Sequence, residues 1–160
     1  MTRPATGRPE LLWPLFGDLA SLDGIGPKTR ALLEPAGITR PRDMLFTLPV
    51  SGIDRSYRPT IRGVPAGEVA TVEVEVGLHQ PSRAKGKPYR VTVQDAETAF
   101  QLVFFHARGD YLTKLLPSGQ RRIVSGKVEI FDGIAQIVHP DHVLPLGEAA
   151  TIPAFEPVYP

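Results

Sequence analysis

Cysteine is absent from all 160 residues, which excludes disulfides and thiolate metal sites. Also missing is any apolar run near the roughly 18 residues that a membrane helix needs, so no membrane partner is expected. The opening MTRPATGRPELLW lacks the apolar h-region of a secretory signal, and a cytoplasmic location is the default expectation. Charge of one sign is scarce as well: 18 Lys and Arg against 17 Asp and Glu leave +1. Any basic footprint for nucleic acid must therefore be local. No phosphate loop is present. Gly24 and Gly26 are one residue apart and Pro27 separates Gly26 from Lys28, whereas a P-loop needs a four-residue gap before its Gly-Lys-Ser/Thr end. No Ser/His/Asp set, paired carboxylates or nucleophile elbow stands out. His139 and His142 are three apart in a strand pattern broken by Pro140, which puts them on opposite faces with no third ligand, and they read as structural. The chain is expected to catalyse nothing and to bind no cofactor or metal by itself.

Proline (17) and glycine (15) are plentiful and spread out, so they punctuate short elements. Residues 1–10 read as a disordered N-terminus. Residues 11–60 read as a helical, helix-hairpin-helix-like subdomain. Leu11, Leu12, Leu15, Phe16 and Leu19 recur at helical spacing, Gly26 and Pro27 suit an N-cap and first helical position, and Thr39 suits the N-cap of a further helix. Residues 61–145 change period. EVATVEVEV (68–76), PYRVTVQD (88–95), TAFQLVFFH (98–106), RRIVSGKVEIF (121–131) and IAQIVHPDHVL (134–144) alternate as half-buried strands do. Asp132-Gly133 is a hairpin dipeptide. A short helix is expected over 110–116, with Tyr111, Leu112, Leu115 and Leu116 on its apolar side. The expected fold class is mainly β with N-terminal helices (α+β). Five strands with a helix after the third is the order of an OB-fold Greek-key barrel. Residues 146–160 read as an extended linker.

Three constellations bear on function. Gly24, Gly26, Lys28 and Arg30 fit a hairpin whose backbone amides approach a phosphate, although a tight turn between packed helices explains the glycines equally well. The loop QPSRAKGKPYR concentrates Arg83, Lys85, Lys87 and Arg90, a set able to grip a phosphate backbone; a merely solvated loop is the alternative. In the third strand, alternation sends Phe100, Leu102 and Phe104 into the barrel and leaves Phe105 on the other face. There it either stacks on an unpaired base or packs on a helix.

LDGIGPKTRALLEPAGI, MLFTLP, DRS, FQLVFFHARGDYL, RRIVSGKVEIFDG and QIVHPDHVL, in that order, resemble the N-terminal wedge domain of the RecG family of ATP-dependent branched-DNA helicases. The closing PVYP resembles the junction to the motor domains of that family. The resemblance implies a monomeric OB-type wedge that splits strands at stalled forks and Holliday junctions in recombination and repair. Its motors would act in cis, and ATP and Mg would be confined to those motors. It implies base stacking at the fork by Phe105 and Tyr111. Two departures stand out: HARGD is longer than the usual spacing between that aromatic and the tyrosine, and Val50, Ser51, Gly52 and Ile53 stand where basic and aromatic residues are common. The alternative is a single-strand-binding or protein–protein adaptor module without junction specificity.

Overall fold

The computed structural model describes residues 7–84 and 86–160; residues 1–6 of the expected disordered N-terminus, and Lys85, lie outside the described residues. The chain divides into one unit of residues up to 51 together with 157–160, and a second of residues 52–156.

In the first unit the 11–19 pattern forms 3-10 turns, Glu10–Phe16 and Leu19–Ser21, because Pro14 interrupts the longer register. Helix α1 (Pro27–Leu33) starts from Gly26 with Pro27 at its first position. Helix α2 (Pro41–Phe46) is capped by Arg40, one residue after the expected Thr39. Thr39 instead joins Arg40 in serving Asp43, whose Oδ2 accepts the Thr39 and Arg40 backbone N–H groups and the Thr39 hydroxyl. These bonds, the Thr39 backbone one foremost, hold the Asp43 carboxyl below its usual pKa.

Strand β1 (Ser51–Asp54) and β2 (Tyr57–Arg58) replace the helical continuation expected to residue 60. They are too short to show a period, and their pairings are distant in sequence. β2 runs parallel to β3 (Val69–Gln80), Tyr57 opposite Thr71. Strands β4 (Tyr89–Gln94) and β5 (Ala99–Phe104) follow, then helix α3 (Gly109–Leu115) and strands β6 (Arg121–Phe131), β7 (Ile134–Val138) and β8 (His142–Pro145). β3 pairs with β4, β4 with β5, β5 with β7, β7 with β6, and β6 returns to β3. That circuit closes the barrel with the order and parallel β5–β7 pair of an OB-fold. The hairpin between β6 and β7 turns through positive φ at Asp132 and Gly133.

The barrel interior takes alternate residues from each strand: Val72, Val74 and Val76, Val91 and Val93, Phe100 and Leu102, Val124 and Val128, and Ile137. Leu112 and Leu116, one helical turn apart at α3, are fully buried against this set, and truncating either to Ala would cost about 2–5 kcal/mol. The expected fifth strand is two, since His139 adopts φ 46° and Pro140 donates no ladder bond. Residues 146–160 are not an extended linker. Leu146–Thr151 is a 3-10 helix, and β9 (Phe155–Val158) pairs with β1.

Candidate nucleic-acid interface

β5 directs Phe100, Leu102 and Phe104 inward, Phe104 being 8% exposed. It ends there, two residues earlier than its alternation suggested, because His106 takes φ 58° and turns the chain toward α3. Phe105 is thus the first residue beyond the ladder and remains 40% exposed. Its N–H has no strand partner and donates to His139 Nε2 at 3.1 Å. Val103, on the same outward face as Phe105, is nevertheless buried; the turn after β7 lies against it, and its carbonyl accepts the His139 N–H at 2.9 Å.

Tyr111 is not on the buried side of α3. Leu112 and Leu116 occupy that side, and Tyr111 is 61% exposed, one turn from half-buried Leu115. The helix therefore presents Tyr111 into an open groove of about 810 Å³ lined by Phe105, Arg108, Tyr111, His139, Asp141 and His142. A smaller cleft of about 360 Å³, lined by Ser82, Lys87, Tyr89 and His106, also borders Phe105. Phe105 is a ridge shared by both clefts: the aromatic groove on one side, the β3–β4 loop on the other.

Arg83 and Lys87 are exposed on that loop. Arg90 is half-buried on β4, opposite Val103 near the end of β5. Among the described residues, Arg83, Lys87, Arg90 and Arg108 form no ion pair. Arg108, the residue capping α3, was missed in the sequence because HARGD reads as a connector. Tyr89 offers no stacking face; it is buried and its hydroxyl bonds His79 Nδ1 at 2.8 Å.

The Gly24–Arg30 hairpin belongs to the other unit. Gly24 needs its glycine, with φ +84°, whereas Gly26 is extended. Lys28 is exposed, but Arg30 is already matched by Asp18 at 3.3 Å and Glu34 at 2.9 Å, which spends its charge locally. The carboxylates beside it raise the Arg30 pKa, the Glu34 hydrogen bond foremost. Among the described residues no cluster of three metal-ligating side chains occurs, and no helix is long and apolar enough to cross a membrane.

Sequence reading also passed over Arg55. It is 5% exposed and donates to Ser125 Oγ at 3.0 Å, to Asp141 Oδ2 at 2.9 Å and to Glu156. Ser125 in turn bonds Thr71 Oγ1 at 2.8 Å. One buried guanidinium thereby ties β6, the groove wall at Asp141 and β9 together. Gly126, next to Ser125, lets that wall sit close: a Cβ there would lie 2.6 Å from Ile137 Cγ2 and 3.1 Å from Pro140 Cα.

The closed circuit of strands and its parallel β5–β7 pair define an OB-fold, and residues 66–144 match the family model described as an OB-fold nucleic acid binding domain. More particularly, the chain is similar to RecG. It is 28% identical over 124 residues to the ATP-dependent DNA helicase RecG of Pasteurella multocida (strain Pm70), covering 78% of this chain and 18% of that protein. It superposes on RecG bound to a three-way DNA junction with a TM-score of 0.70 and 24% identity, over 91% of this chain and 20% of that one. The chain therefore spans about a fifth of the length of these relatives.

Proposed function

We propose that this chain is the wedge of a RecG-type helicase, binding branched DNA and parting strands at stalled forks and Holliday junctions during replication-fork rescue, recombination and repair. The observation that carries this reading is Phe105, left 40% exposed at the end of β5 between a groove holding Tyr111 and a cleft holding Lys87. An aromatic face beside cations that form no ion pair among the described residues suits a base that has lost its partner next to a phosphate backbone that has not. Phe105 and Tyr111 take the base-stacking roles; Arg83, Lys87, Arg90 and Arg108 take phosphates. The chain acts as a monomer in the cytoplasm, joined in cis to motor domains that hold ATP and Mg and pull the duplex.

Electrophoretic mobility shift with a model fork, a Holliday junction, a linear duplex and a linear single strand of equal length tests this. Branched DNA should be retained preferentially, with affinity falling as salt rises. Equal affinity for linear single strand and fork would favour a general single-strand binder, and no shift with any DNA would favour a protein adaptor.

A further inference from the structure

We infer that His139 is the positioning residue for Phe105, holding its ring in the orientation that meets DNA; this rests on the fork-binding reading above. Phe105 lies beyond the last ladder pair of β5, so the strand does not orient it. Among the described residues, its backbone N–H hydrogen bond and its aromatic ring contact are both to His139. Its Nε2 accepts the Phe105 N–H at 3.1 Å, and its ring lies 6.0 Å from the Phe105 ring at a tilt of 36°. It also meets Phe104 edge-on at 6.1 Å. Accepting through Nε2 requires a neutral imidazole with its proton on Nδ1.

His139 is itself held firmly. Its N–H is bonded to Val103 O, and its φ of 46° is uncommon for a residue with a Cβ and fixes the turn at this point. Its surroundings are specific: Pro140 packs close to Gly126, and Asp141 is pinned by buried Arg55. The turn is a fixed shelf, and Phe105 leans on it. A ring at a strand end without such a shelf would spread over its rotamers, and binding would then have to pay the ordering cost that preorganisation removes.

Fork affinity of the full chain should be measured for the wild type, His139→Ala, His139→Gln, Phe105→Ala and the Phe105→Ala/His139→Ala double variant. His139→Ala should weaken binding about fivefold or more, a substantial part of what one stacked base is worth. His139→Gln should recover most of it, because the Gln amide oxygen can accept the Phe105 N–H. In the Phe105→Ala background, His139→Ala should change nothing further. No loss in His139→Ala, a loss that Gln does not restore, or an undiminished loss in the Phe105→Ala background overturns the inference. If the wild type binds no fork, or Phe105→Ala binds as the wild type does, the fork reading falls. Nitrogen-15 NMR then decides the positioning role alone. A Nδ1–H tautomer at His139, with a Phe105 amide shift that moves in His139→Ala and returns in His139→Gln, supports it; a Nε2–H tautomer or an unmoved amide overturns it.

Discussion

Replacing Phe105 by leucine separates stacking from packing. Phe105 is 40% exposed, so more than half of the residue's surface is covered, and full burial of such a side chain is worth roughly 1.5–3 kcal/mol. Alanine would forfeit roughly 1–2 kcal/mol of folding stability on that basis, which is similar to the binding energy at issue. Leucine keeps most of the apolar contact, and a swap of this kind costs less than about 1.5 kcal/mol, but it has no π-face. Loss of one base-stacking platform costs about 1–3 kcal/mol, a drop of about five- to 150-fold in fork affinity. Fluorescence anisotropy with a labelled fork reads the affinity, and a urea melt of the same sample reads the stability. Phe105→Leu should move the first by at least that lower bound and the second little. Unchanged fork affinity would refute stacking by Phe105; a collapse of the urea midpoint that accounts for the lost binding would assign the ring to packing instead.

Arg83→Ala and Lys87→Ala should each weaken binding similarly for all DNA sequences and lower the slope of log affinity against log salt by about one, as loss of a phosphate contact does, measured by titration between low and moderate salt. Arg55→Met should destabilise the barrel by about 2–4 kcal/mol in chemical denaturation. The guanidinium is buried, but side chains of its partners Asp141 and Glu156 are 49% and 41% exposed, and water can rescue them in part; a change below about 0.5 kcal/mol would mean the triad contributes only alignment. Asp43 sets an acid dependence in its own unit. Its folded pKa is depressed, so its contribution is fully present above the unfolded value of about 3.9 and is lost as pH falls through the lower folded value. Asp43→Asn should flatten stability against pH in that acid range, followed by circular dichroism, and an identical profile in the variant would exclude it.

Long alternation made the barrel legible. TVEVEV and YRVTV each repeat the period-two pattern often enough to identify a strand, and the helix after the third strand specified which barrel they build. The division of Phe104 and Phe105 was legible for the same reason, although Phe105 reaches its exposed position by leaving the strand. What stayed hidden depended on distant partners. Arg55 reads as a surface charge, but it is satisfied by Ser125, Asp141 and Glu156, 70, 86 and 101 residues away. Spacing alone put Tyr111 on the apolar side of α3, against the stacking role that the family resemblance implies, because the phase of a seven-residue helix is ambiguous until Leu112 and Leu116 are seen to claim the core. The tail looked like a linker because β9 gains its ladder only from β1.

The most direct measurement uses forks carrying 2-aminopurine either at the branch nucleotide or deep within one arm. Stacking of Phe105 on the parted base should change emission at the branch position on binding, leave the arm position unchanged, and disappear with Phe105→Leu at saturating protein. An unchanged branch signal in a bound complex, or the same signal with Phe105→Leu, would contradict a wedge that works through this ring.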